Sequence, residues 1–177
     1  MGSLKKYCKK KLKLLMSYLG WINEDWEDRS LLLQAKILMS SRLWREHNQD
    51  FDLTSKEFRV YSQWGDDGII QYLIYKLNIE NKKFIEFGVG NYFESNTHFL
   101  LVNNNWSGFV IDGSQKSIDI VKNNPFFWRF DLNLKTAFIN KENINDLLSE
   151  SNFENIGLLH IDLDGNDYWI LDSIDTD

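Results

Sequence analysis

Residues 84–91 read Phe-Ile-Glu-Phe-Gly-Val-Gly-Asn, an acidic residue inside a short apolar run that ends in Gly-x-Gly. A buried strand followed at once by two glycines describes a tight turn where backbone approaches a ligand without interference from Cβ atoms. Twenty-two residues beyond Gly90, the run Gly108-Phe109-Val110-Ile111 closes on Asp112, where a carboxylate can accept hydrogen bonds from both hydroxyls of a ribose. Together these signals constrain the segment to a strand-turn-helix-strand unit with a nucleotide-type pocket at the strand ends.

The class of nucleotide follows from what the turn lacks. A dinucleotide site wants a third glycine so that the next helix packs close and aims its N-terminus at a pyrophosphate; that position is Phe93, with Glu94 beside it. Carboxylates at Glu86 and Glu94 oppose a diphosphate and suit a cationic amino group. S-adenosylmethionine carries an adenosine, an ammonium and a sulfonium, and no phosphate. A NAD site is disfavoured by the same Phe93.

Hydrophobic periodicity from Asp66 onward is that of an α/β domain. We expect helices over 67–77, 96–103, 114–122 and 140–150, and strands at 84–87, 108–111, 127–132 and 157–163. Right-handed crossovers then give a parallel sheet in the order 3-2-1-4 with helices on both faces. The ligand belongs at the carboxyl ends of strands one and four, where the order reverses.

Three segments, FIEFGVGNYFESNTHFLL, WSGFVIDGS and LLHIDLDGNDYWIL, together resemble the class I S-adenosylmethionine-dependent methyltransferases, most closely the FkbM-like branch, over roughly Tyr61 to Ile174. The resemblance implies a Rossmann-like domain that binds S-adenosylmethionine and methylates a hydroxyl of a sugar or polysaccharide-type acceptor. Glu86, Gly88 and Gly90 match the family's first motif and Asp112 its ribose acid. Residues 161–165, Ile-Asp-Leu-Asp-Gly, match its segment after the fourth strand, with Asp164 where glutamate is usual. Asp131, expected to end strand three, would bond the adenine amino group. The resemblance also implies further strands, so we expect either a fragment of a longer protein or a second chain that pairs with the free edge of strand four. A truncated binding or assembly module of the same fold is the alternative to an enzyme.

Individual residues carry competing readings. Glu86 orients the glycine loop or the ligand's amino group. Asn96 caps the following helix and touches the cofactor. Asp162 and Asp164 are the catalytic candidates, since a carboxylate there can take a proton from an acceptor hydroxyl; with Asp167 the same oxygens could bind Mg²⁺ or serve as helix caps, and no metal ligand is assigned. His160 reads as a buried, hydrogen-bonded core residue rather than a catalyst. In the segment Tyr61-Ser62-Gln63-Trp64-Gly65-Asp66-Asp67-Gly68, Asp66 is expected to cap a helix and Asp67 to complement its dipole, with Gln63 or Trp64 covering the cofactor. Trp106, Trp128 and Trp169 are expected to pack.

The first 48 residues form an expected helical extension to a domain over 49–177. Its start, residues 4–22, spaces Leu4, Cys8, Leu12, Leu15, Leu19 and Ile22 as one helix face against five lysines, which fits either peripheral contact with an anionic membrane or packing on the domain. A second helix is expected over 30–46. Net charge is −6, and the first twenty residues hold six lysines and no acid. The acidic remainder argues against a nucleic-acid partner. One cysteine, Cys8, and no apolar run near the roughly 18 residues of a membrane span point to a reducing, cytoplasmic setting.

Overall fold

A computed structural model describes Lys11, residues 27–45 and residues 52–175. The chain forms two units, Met1–Asp50 and Phe51–Asp177. The basic helix expected over 4–22 lies outside the described residues except for Lys11, as do His47 and most of the polar boundary that follows it. Among the described residues, no helix is long and apolar enough to cross a membrane.

In the first unit, residues 27–40 form helix α1, which breaks at Ser41 before a single turn, α2 (Arg42–Arg45). The Ser41 hydroxyl accepts the Trp44 N–H at 3.2 Å, restarting the helix with a side-chain cap. Leu32, Ala35 and Met39 are the more covered stripe, whereas Leu31 and Leu38 are exposed.

The second unit is built on four parallel strands, β1 (Lys83–Phe87), β2 (Ser107–Asp112), β3 (Leu132–Thr136) and β4 (Leu158–Ile161), in the order β3-β2-β1-β4. This is the expected Rossmann-like order. The register pairs Glu86 with Val110 on one side and His160 on the other. Alternation then divides the side chains between two faces. Phe84, Val110, Leu132 and Leu158 pack with helices α3 (Asp66–Leu77), α4 (His98–Asn104) and α5 (Gln115–Asn123) through Ile70, Leu100, Leu101, Ile118 and Val121. On the opposite face, Ile85, Phe87, Phe109 and Ile111 pack with α6 (Ile144–Glu150) and α7 (Asp167–Asp172) through Ile144, Leu147 and Ile170. Connections that run one way across the sheet use the first face and the returning one uses the second, as crossovers of one hand require. Both faces of β1 and β2 are therefore covered, which is why these strands read as continuous apolar runs.

The third strand departs from expectation. Residues 127–129, expected to begin it, form a 3-10 turn, and the aromatic run Phe126, Phe127 and Phe130 packs ring against ring. The strand itself is the alternating Leu-Asn-Leu-Lys-Thr of 132–136, an edge strand with one covered side. α6 starts at Ile144, four residues later than expected, and β4 is confined to Leu158–Ile161. Trp106 is buried as expected, but Trp128 and Trp169 are 81% and 64% exposed.

Behind the glycine loop, His98 at the start of α4 stacks on Tyr61 at 4.0 Å and on Tyr92 at 5.2 Å. Burial holds its imidazole down at about 4, although hydrogen bonds to the Phe93 and Tyr92 backbone act the other way. The unfolded chain protonates His98 near 6.5 and the folded one does not, so stability is lost as pH falls from about 6.5 to about 4, by about 3 kcal/mol from this group. Urea denaturation of the wild type and His98→Phe across that interval should show the steeper acid loss in the wild type; parallel curves would contradict it.

Candidate functional site

The glycine turn leaves β1 under two constraints. Gly88 has φ +77°, and a Cβ there would lie 1.7 Å from the Asp162 carbonyl oxygen. Only glycine lets the ends of β1 and β4 approach this closely. Gly90 also has a positive φ, +52°, but a Cβ there would meet no protein atom within 4 Å. The first glycine serves the protein's own packing, while the second faces open space.

Two carboxylates hold the turn. Asp112, ending β2, accepts the Gly90 N–H at 2.8 Å through Oδ2 and the Ser114 N–H at 2.7 Å through Oδ1. Ser114, by accepting the Ser117 N–H, caps α5. Asp112 thus keeps one lone pair per oxygen for a ligand. Glu86, 2% exposed, accepts the Ser95 hydroxyl at 2.6 Å, the Asn96 N–H at 3.0 Å, the Thr97 N–H at 3.2 Å and the Thr97 hydroxyl. Of the two roles expected for Glu86, orienting the loop is the one visible here.

Asn96 does not cap α4. The helix begins at His98 behind Thr97, and the Asn96 side-chain nitrogen instead lies 2.9 Å from His160 Nε2. His160 Nδ1 is 3.4 Å from Glu86 Oε1, with a side chain 25% exposed. His160 is therefore not the buried core residue its apolar neighbours suggest. Its link to Glu86 follows from their pairing across β1 and β4, which the alternation of the two strands could have revealed.

Asp67 plays a different part from the dipole partner expected. It is fully buried and accepts the backbone N–H groups of Val60, Tyr61 and Ser62 at 2.7, 2.7 and 3.0 Å. Burial pushes its carboxyl up, against the pull of those bonds. Gly65, not Asp66, occupies the N-cap of α3. The clamp fixes the segment that carries Gln63 to the site.

The turn lies between two clefts. The first, about 400 Å³, is lined by Gly88, Gly90, Asp112, Phe138, Asp162 and Asp164 among others. The second, about 310 Å³, is lined by Gln63, Glu86, Gly88, Gly90, Glu94, Asn96 and Asp162 among others. They share Gly88, Gly90 and Asp162, so an elongated ligand laid across the turn contacts both. Among the described residues, neither lining contains Lys or Arg. Arg59 meets Glu94 at 3.8 Å, but both side chains are well exposed and solvent screens the pair.

Asp162 and Asp164 face solvent in the first cleft. Asp164, with φ 48°, and Gly165, with φ 95°, make the turn after β4. Asp167 braces it by accepting the Leu163 N–H at 2.7 Å and the Gly165 N–H at 3.2 Å. The Leu163 bond chiefly holds the Asp167 carboxyl below its usual range. Among the described residues, no group of three or more His, Cys, Asp or Glu is placed to hold a metal ion.

Asp131 is removed from the site. Its carbonyl accepts the Gly108 N–H ahead of β3, at the amino ends of the strands, whereas the clefts lie at the carboxyl ends. The residues that follow β3 into the first cleft are Ala137, Phe138 and Ile139. Phe138, 82% exposed, is the aromatic surface that the misplaced strand concealed.

No family model, no curated protein and no solved structure matches this chain.

The two glycines should respond differently to alanine. Gly90→Ala should cost about 1–2 kcal/mol for the left-handed backbone and leave the fold intact, while its methyl group projects into the shared space and blocks a ligand there. Gly88→Ala should destabilise by more, because the Asp162 carbonyl must move. Denaturation midpoints of the two variants check the order, and equal losses would contradict it.

Proposed function

We propose that this chain binds S-adenosylmethionine across the Gly88–Gly90 turn and transfers its methyl group to a hydroxyl acceptor. The observation that carries the reading is that one cleft pairs the turn with a ribose-type acid, Asp112, while the adjoining cleft is lined by three carboxylates, Glu86, Glu94 and Asp162. Asp112 has lone pairs for the ribose hydroxyls, and Phe138 offers an apolar face to the adenine. In the second cleft, acceptor oxygens suit an ammonium, and the amides of Gln63 and Asn91 bring N–H donors for a carboxylate. A phosphate finds no cation among the described residues of either lining, which counts against a dinucleotide.

The cofactor, when bound, supplies an electrophilic methyl group on a sulfonium. Asp162 borders both clefts, so its carboxylate is the group we assign to the acceptor proton, with Asp164 beside it to hold the acceptor hydroxyl. General-base help is worth about 10² to 10⁴ in rate, and orientation of the acceptor by the cleft contributes more. A sugar or glycan acceptor rests on the FkbM-like resemblance. The outer edge of β4, unpaired among the described residues, favours a second reading, a binding or assembly module of the same fold.

Isothermal titration with S-adenosylhomocysteine separates the two. The enzyme reading expects saturable binding, weakened about tenfold or more by Asp112→Ala through the loss of charge-assisted bonds to ribose. A folded chain without affinity for this ligand would favour the assembly module.

A further inference from the structure

We propose that helix α1 is a lipid-facing element, lying in the headgroup layer of an anionic membrane with Leu33 and Ile37 inserted. The proposal concerns the first unit alone and stands apart from the cofactor reading.

Positive charge in this acidic chain is gathered toward one end. Net charge is −6, yet the first twenty residues hold six lysines and no acid. Residues 29–45 then add Arg29, Lys36, Arg42 and Arg45, again without an acid. The two acids of α1, Glu27 and Asp28, sit in its first turn, where they complement the helix dipole. An element that follows a polybasic segment and carries cations of its own is matched to a surface of negative headgroups.

The helical period sorts the rest of α1 into two sides. Leu32, Ala35 and Met39 form the more covered side. Leu33 and Ile37, one turn apart on the opposite side, are 62% and 70% exposed, with Arg29 and Lys36 exposed along one border. The polar residues around them spend their side chains on the helix itself: the Gln34 amide donates to the Ser30 hydroxyl at 3.2 Å, and the Ser40 hydroxyl donates to the Ile37 carbonyl at 2.7 Å. Less polar hydration is therefore lost when this side leaves water.

Two exposed aliphatics on about 21 Å of helix make a small core for a protein interface, which takes roughly 20–30 residues a side. Pairing this side with its own copy would also bring basic borders together without an acid to meet them. On a lipid surface a modest apolar insertion and a basic patch act together. Residues 27–40 are too short and too charged to cross a bilayer, so α1 lies on it.

Sedimentation of the full chain with vesicles of phosphatidylcholine alone, and of phosphatidylcholine mixed with phosphatidylglycerol, tests the proposal. The mixed vesicles should bind at least about tenfold more tightly, a difference that shrinks at high salt. Leu33→Gln with Ile37→Gln should weaken binding to the mixed vesicles about tenfold or more, and Lys36→Gln about fivefold, with circular dichroism unchanged. Wild-type affinity in the double variant overturns the proposal even where the mixed vesicles bind, because the lysines of the first twenty residues would then account for binding alone. Equal binding to both vesicles, or none by the folded wild type, overturns it too. So does a wild-type dimer that the double variant abolishes, which would assign this side to a second copy.

Discussion

A buried carboxylate, Glu86, organises the loop on which the rest of the site depends. Taking a charge out of water is costly unless it is fully bonded, and here the partners are supplied by three consecutive residues, Ser95, Asn96 and Thr97. Once that cluster forms, the chain leaving the glycine turn has one path into α4. Asp112 holds the same turn from the β2 side through the Gly90 N–H. The two acids, on neighbouring strands, leave Gly88 and Gly90 lining both clefts without a side chain to cover them.

That arrangement is compatible with the nucleoside ligand proposed for so acidic a site. A phosphate-binding loop offers unpaired backbone N–H groups and a cation. In this turn the Gly90 N–H is already taken by a carboxylate, and among the described residues both linings lack Lys and Arg. Hydroxyl and ammonium donors match what remains.

Much of this was legible in the sequence where burial and chemistry agree. β1 and β2 are covered on both faces, so their apolar runs mark them, and the glycine pair and Asp112 sit at their ends. The strand order follows from alternation of elements alone. Legibility failed where an apolar run was not a strand. Phe126, Phe127 and Phe130 bury their rings by packing on one another in a turn, while β3 shows only the alternation of an edge strand. That shift of a few residues carried Asp131 to the wrong end of the sheet and hid Phe138. His160 is hydrogen-bonded as expected but less buried, for a related reason: its neighbours Leu159 and Ile161 point to the other core, so their apolarity says nothing about the face it shares with Glu86. Asp67, expected to complement a helix dipole, is instead a buried clamp, because three backbone donors sit within its reach.

The central claim is that the two clefts form one site, joined by the turn between them. Backbone amide NMR during titration with S-adenosylhomocysteine tests it most directly. The account predicts that Gly88, Gly90, Gly113 and Phe138 in the first cleft shift together with Asn91 and Asn96 in the second, along a single saturation curve. Shifts confined to one cleft, or clustered elsewhere on the sheet, would contradict it.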